Sequence, residues 1–241
     1  MIDVRGLGKR FGRVQAIDDI SFGAADGRIT ALLGPNGAGK STTLRILATV
    51  LKPDAGSARI DGHEIGTEDD AVRRQIGVLP HRPGLYDRLT ARENIAYFGA
   101  LHGMRGERLE HRIDDLVRHF DMSDFAHRRV AGFSQGQRIK VALARALVHD
   151  PRNVLLDEPT NGLDVMATRA LRESVLALKA EGRCVVFSSH VMQEVASLCE
   201  DVIIIGAGRV RFAGTLTELL EVSGKADLEE AFIRLIGPSA A

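Results

Sequence analysis

Short apolar runs rich in β-branched residues alternate along the chain with stretches whose apolar positions recur every three to four residues. This is the pattern of a layered α/β sheet. Residues 28–33 read as a buried strand ending at Gly34, and a helix is predicted over 40–51, stopped by Pro53. Further strands are predicted at 57–60, 76–79, 153–157, 184–188 and 201–205. The stretch 87–150 differs in being mostly helical. Thr90-Ala91-Arg92-Glu93 has capping-box spacing ahead of Ile95, Phe98 and Leu101, and Leu109, Ile113, Leu116, Val117 and Phe120 follow at helical spacing. An α/β core interrupted by a helical insert is therefore expected. Residues 227–236 read as a short amphipathic helix with Leu228, Phe232 and Leu235 on one face, which either packs on its own domain or meets a partner.

Composition sets limits on this picture. The chain has 241 residues, 44% apolar and 27% charged, which excludes a disordered or fibrous protein. Lys+Arg 32 balance Asp+Glu 32, so no overall basic field draws the chain to nucleic acid. Apolar runs such as Val202-Ile203-Ile204-Ile205 fall far short of the ~20 residues that cross a bilayer. The first residues lack the basic start and apolar core of a signal peptide. Cys184 and Cys199, both in apolar surroundings, make no disulfide framework, and a reducing cytosol is expected. Glycine is enriched, 25 of 241, and several glycines fall at strand ends.

One of those strand ends carries chemistry. Gly34-Pro35-Asn36-Gly37-Ala38-Gly39-Lys40-Ser41 fits the phosphate-binding pattern G-x-x-x-x-G-K-[ST], between a strand and a helix, with Thr42 next to it. Gly37 and Gly39 let the backbone turn its N–H groups inward, where a Cβ would block a phosphate, and the helix adds its positive N-terminal end. Lys40 is expected to reach the β- and γ-phosphates, and the Ser41 hydroxyl to ligate Mg²⁺. Further on, Asn153-Val154-Leu155-Leu156-Asp157-Glu158 runs apolar into two carboxylates at a sheet's carboxyl edge. There Asp157 is placed to hold Mg²⁺ through water, and Glu158 to act as general base or to polarise the attacking water. These motifs point to ATP or another nucleoside triphosphate.

Between the two motifs, Phe133-Ser134-Gln135-Gly136-Gln137 opens a helical run over 138–148. With its motifs in this order, nearly the whole chain resembles the nucleotide-binding subunit of ABC transporters, whose signature reads Leu-Ser-Gly-Gly-Gln. The resemblance implies an α/β fold, a P-loop NTPase (RecA-like) core with an N-terminal antiparallel β subdomain and a helical insert. It also implies a single ATPase domain, with core segments 1–80 and 151–214, a helical subdomain over 81–150 and a C-terminal helical tail over 215–241. In that family the signature of one subunit closes over ATP held by the P-loop of another. Ser134, Gln135, Gly136 and Gln137 would thus act on a partner's ATP, in a homodimer or a pair of ATPase subunits. Phe11 is similar to the aromatic that stacks on adenine, and Asn161-Gly162-Leu163-Asp164 to the D-loop joining the two sites. His190 is similar to the switch histidine that contacts the γ-phosphate. His63, His102, His111, His119, His127 and His149 have no ligand spacing and are expected at the surface.

Two positions depart from the family pattern. Leu79-Pro80-His81 stands where a glutamine, contacting Mg²⁺ and the membrane partner, is usual, so the titratable His81 is expected to serve the metal or the water and to make hydrolysis vary with pH. Gln135 replaces a signature glycine. The resemblance also implies an integral membrane permease, docking at 81–95 and the helical insert, and a place at the inner face of the membrane. Gly84-Leu85-Tyr86-Asp87-Arg88-Leu89-Thr90-Ala91-Arg92-Glu93-Asn94-Ile95 and the segment 227–235 are similar to Nat-type sodium-extrusion ATPases and ABC-2-type exporters. Sodium, drug, lipid and polysaccharide cargoes stay open. A GTPase is disfavoured because Leu51-Lys52-Pro53-Asp54 lacks the first polar residue of a guanine-reading motif and lies too early. A soluble ABC protein acting on DNA or ribosomes usually carries two cassettes or a long coiled coil, and neither is present.

Overall fold

The structure, a computed structural model, describes residues 1–237, so the last four residues of the predicted tail lie outside the described residues. β1 (Ile2–Phe11) and β2 (Val14–Ala24) pair antiparallel. β3 (Ile29–Leu33), α1 (Lys40–Leu47), β4 (Ala55–Ile60) and β5 (His63–Glu64) follow, then α2 (Asp69–Gln75) and β6 (Ile76–Leu79). The helical stretch comprises α3 (Ala91–Leu101), α4 (Gly106–His119) and α5 (Gln135–Leu147). The chain returns through β7 (Asn153–Asp157), α6 (Val165–Ala180), β8 (Cys184–Ser189), α7 (Met192–Leu198), β9 (Asp201–Gly206) and β10 (Arg209–Thr215). It ends in α8 (Leu216–Ser223) and α9 (Leu228–Ile236).

Among the described residues the strands form two sheets, one ordered β2-β1-β4-β5 and antiparallel, the other ordered β10-β9-β3-β8-β7-β6. In the second, β9, β3, β8, β7 and β6 are parallel and β10 runs against β9. Its strands are apolar on both faces because each face meets a different core. Ile29, Ala31, Leu33, Val185, Phe187, Val202 and Ile204 pack under the helices, and the alternate residues Leu32, Cys184, Val186, Ile203 and Ile205 pack against the antiparallel sheet. Each such aliphatic side chain contributes about 1.5–3 kcal/mol by leaving water. The register aligns Leu33 with Ser189, Asp157 with Ser188 and Leu79 with Leu156. The strand ends therefore share one carboxyl edge, where open α/β sheets bind ligands.

The predicted parallel strands lie where hydrophobic runs put them, to within a residue. The hydrophobic pattern alone does not mark β1 and β2, whose register is broken by irregularities between Val4 and Arg10. The predicted strand at 57–60 is the end of β4 and belongs to the antiparallel sheet. α1 stops at Leu47, not at residue 51, because Thr49 takes a left-handed conformation (φ 59°), where its hydroxyl accepts from Arg73 Nε at 2.8 Å. The Thr90–Glu93 capping box is present at the start of α3. α9 packs on its own chain: Leu228 and Ala231 are buried, Phe232 and Leu235 rest on the same core, and Arg234 donates to Ser223 O at 2.6 Å.

Three of the histidines expected at the surface, His63, His102 and His149, are half-buried, and the last two pair with each other. His102, capping α3, and His149, just beyond α5, stack with ring centroids 3.5 Å apart and planes 3° from parallel. His149 Nε2 lies 2.9 Å from Ile76 O at the start of β6. Burial pushes the His149 pKa down to about 4 and lowers that of His102 as well. Cys184 and Cys199 are both free thiols, buried, and burial raises their pKa values.

Candidate active site

β3 delivers the chain into a glycine-rich loop. Gly37 (φ 80°) and Gly39 (φ 110°) hold left-handed conformations that L side chains rarely adopt. A Cβ on Gly39 would sit 2.8 Å from Ala16 O, whereas one on Gly37 would meet no protein atom within 4 Å, so Gly37 answers to its backbone angle alone. Gly34 has no room for a side chain either, because Ile205 O of β9 occupies the place. α1 begins at Lys40 with no side-chain cap, so its first N–H groups have no side-chain partner and suit an anion.

Lys40 is only 4% exposed. Its Nζ donates to Gly34 O at 2.6 Å and Pro35 O at 3.1 Å, and stands 4.0 Å from Glu158 Oε1. Burial lowers its pKa, against the opposing pull of Glu158 and Asp157. A desolvated ammonium of this kind is stabilised by phosphate oxygens. Pro35 and Asn36 form the outer part of the loop, Ala38 is buried beneath it, and Ser41 and Thr42 lie half-buried in the first turn of α1.

Asp157 ends β7 and is buried, and its Oδ1 accepts from Ser41 Oγ at 2.9 Å and from Ser188 Oγ at 2.7 Å. A hydroxyl and a carboxylate held together are the oxygen donors that a hard cation such as Mg²⁺ prefers, so the residues present fit that ion. Among the described residues no group of three or more His, Cys, Asp and Glu is placed to hold a metal ion by itself. Glu158 follows in a left-handed conformation (φ 49°) and its N–H donates to Ser188 Oγ at 2.9 Å. His81 Nδ1 lies 3.5 Å from Glu158 Oε2, and His190 Nδ1 lies 3.5 Å from Glu158 Oε1. Lys40, Asp157, Glu158, His81 and His190 thus come together at the ends of β3, β7, β6 and β8.

The remaining predicted residues surround this centre or face outward. Phe11 ends β1, 46% exposed, with Lys9 Nζ 5.7 Å from its ring centroid. Ser134 caps α5 in a capping box: its Oγ accepts from Gln137 N at 3.2 Å, and Gln137 Oε1 accepts from Ser134 N at 3.1 Å. Ser134 and Gln135 are exposed, while Gly136 lies against Ala167 of α6. Asp164 caps α6, its Oδ1 accepting from Ala167 N at 2.8 Å. Ser134 and Asp164 each open a helix, Asp164 six residues after Glu158.

The 81–95 segment leads from the site to α3. Arg145 of α5 donates to Pro83 O at 2.7 Å and Gly84 O at 3.3 Å and lies 4.5 Å over the Phe98 ring, its pKa lowered by burial to about 10. Buried Asn94 exchanges hydrogen bonds with the Tyr86 backbone at 2.9 and 3.1 Å. Tyr86 and Tyr97 meet edge to face, both about half exposed. A cavity of about 470 Å³ beside His81 is lined by Leu44, Ala48, Val50, Val78 and Pro80.

Periodicity and motif spacing overlooked three contributors. Ser188 reads as part of an apolar strand, and its only signal was a hydroxyl residue inside that run. Gly208, in the β9–β10 turn, accepts from Asp18 N at 2.7 Å and donates to Ala38 O at 3.1 Å, joining the loop to β2. Glu194 of α7 is buried beside the turn that carries His190.

A family model described as ABC transporter matches residues 17–161. The chain is 45% identical to the ABC transporter ATP-binding protein NatA of Bacillus subtilis (strain 168), over 91% of this chain and 90% of that one. The chain belongs to the ABC transporter ATP-binding family. Another relative is the daunorubicin resistance ATP-binding protein DrrA3 of Streptomyces coeruleorubidus, 37% identical over 92% of this chain and 71% of the relative. The Nod factor export ATP-binding protein I of Rhizobium sp. (strain N33) is 36% identical over 91% and 72%. A solved ATP-binding subunit of an ABC transporter superposes with TM-score 0.90 at 30% identity, covering 98% of this chain and all of that one. An ATP-binding cassette whose dimeric post-hydrolysis structure holds ADP and Pi superposes with TM-score 0.80 at 28% identity, over 90% and 99%. This family member is the ATP-binding subunit of an ABC transporter, close to NatA and to ABC-2-type exporter ATPases, and ATP hydrolysis is the family's activity. Among the described residues no helix is long and apolar enough to cross a membrane.

Proposed function

We propose that this subunit hydrolyses ATP to drive export through a separate integral membrane permease, working as a homodimer or in a pair of ATPase subunits. Two ATP molecules would lie head to tail, each in the loop 34–42 of one copy and under Ser134–Gln137 of the other, with adenine against Phe11. The single observation that carries the reading is the convergence on Glu158: Lys40, His81 and His190 each reach within 4.0 Å of its carboxylate.

The chemistry follows from the side chains. Lys40 and the first N–H groups of α1 neutralise the β- and γ-phosphates. Mg²⁺, held by Ser41 and, through water, by Asp157, with His81 alongside, would supply further charge neutralisation there. Glu158 orients a water and accepts its proton as the water oxygen bonds to the γ-phosphorus. The bond from that phosphorus to the β–γ bridging oxygen breaks, and ADP leaves with the electron pair. His190 holds the γ-phosphate in line. Ser134 of the opposing copy accepts from Gln137 N through one lone pair of its Oγ, which leaves its O–H free to donate to that phosphate. Positioning and preorganised charge do most of this work. Asp164 and its loop would carry the state of one site to the other.

The core segments 1–80 and 151–214 would act as the nucleotide-binding body, and 81–150 as the helical subdomain that meets the permease at 81–95 under the membrane's inner face. Exposed Tyr86, on a loop fixed to α5 by Arg145, and exposed Tyr97, against it on α3, support that docking role. Sodium export is the cargo implied by resemblance to Nat-type sodium-extrusion ATPases. The relative named for daunorubicin resistance favours a second reading, a drug cargo. Lys40→Ala is expected to abolish ATP binding or turnover, measured by phosphate release, and retention within a few-fold would contradict the site. Transport by vesicles holding this subunit and its permease, tested with Na⁺ and with an anthracycline, separates the two cargoes.

A further inference from the structure

Glu194 is a buried carboxylate (5% exposed) that the hydrolytic steps above do not use. Its Oε2 accepts from Thr160 Oγ1 at 2.9 Å and from Ser189 Oγ at 3.0 Å, so two hydroxyls, not a cation, offset its desolvation. Those hydroxyls belong to different parts of the site. Thr160 lies just beyond Glu158, across Pro159, where the loop to Asp164 opens. Ser189 ends β8 directly before His190, and its Oγ also accepts from Val191 N at 3.0 Å, so its side chain fastens the backbone on both sides of that histidine.

We infer that Glu194 is a positioning residue for hydrolysis: one acceptor oxygen, fixed on α7, ties the turn carrying Glu158 to the turn carrying His190. The inference rests on the roles of Glu158 and His190 given above. The held separation is the 3.5 Å between His190 Nδ1 and Glu158 Oε1. A shift of about 1 Å in such a pair costs up to roughly 100-fold in rate. The nucleotide-holding loop contributes nothing to the Glu194 bonds, so turnover and nucleotide affinity separate.

The test is steady-state ATPase kinetics of the full chain, with binding of a fluorescent trinitrophenyl-ATP measured alongside. Glu194→Ala is expected to lower kcat by about tenfold or more with analogue affinity and KM within about threefold of wild type. Glu194→Gln keeps a carbonyl oxygen able to accept both hydroxyl bonds and is expected to restore most of kcat. Thr160→Val and Ser189→Ala each remove one donor; they are expected to lower kcat without altering affinity, and they read the same quantity should Glu194→Ala fail to fold. An unchanged kcat in these variants, a parallel loss of affinity, or a Gln variant as slow as the Ala variant overturns the inference. His190→Ala separates the two levels. If it turns over like wild type, the reading of the site itself fails; if it is slow while Glu194→Ala is fast, only the positioning role fails.

Discussion

His81 faces Glu158 across the end of the sheet, its Nδ1 3.5 Å from Oε2. At that distance the imidazole is placed to hold the attacking water against Glu158, so His81→Ala is expected to lower kcat by about tenfold or more, while His81→Gln, which restores the residue usual at this place, keeps most of the turnover. An unchanged kcat in the Ala variant would remove His81 from the mechanism.

Ser188 is the hidden support of both carboxylates. It donates to Asp157 and accepts from the Glu158 N–H, in the interior of the protein. Ser188→Ala leaves that N–H without its partner and is expected to cost about 1–3 kcal/mol of stability in urea unfolding, together with a loss in kcat of about tenfold or more. A variant as stable and as fast as wild type would show the two bonds to be incidental.

The His102–His149 stack predicts a pH effect on stability and not on chemistry. His149 has its folded pKa depressed to about 4, below an unfolded value near 6.5, so the fold favours the neutral ring. That contribution is fully present above the unfolded value and is lost as pH falls toward the folded one. Between pH 7 and pH 5 the chain is expected to lose about 2 kcal/mol from this group. Urea titrations of His149→Gln should show that slope reduced, and an unchanged slope would contradict the assignment.

The sheet and the phosphate loop were legible because each rests on a local pattern. β3, β6, β7, β8 and β9 are short apolar runs whose alternate residues fill two cores, and the glycine positions answer to backbone angles that few other residues adopt. Ser188 and Glu194 were not legible, because their meaning comes from neighbours distant in sequence: Asp157 for one, Thr160 for the other. The early end of α1 also came from tertiary context, since Arg73 holds Thr49 in its left-handed turn. His102 and His149 misled for the same reason, their burial arising where α3 and α5 end beside β6. Ser134, Gln137 and Asp164 are fixed by local capping bonds at the starts of α5 and α6, which need no distant partner.

Light scattering of the Glu158→Gln variant with saturating ATP and Mg²⁺ tests the joint enclosure of ATP most directly. Loss of the base should leave nucleotide bound and unhydrolysed, and the account predicts the mass of a dimer that reverts to monomer when ATP is withdrawn. A variant that stays monomeric with ATP demonstrably bound would contradict it.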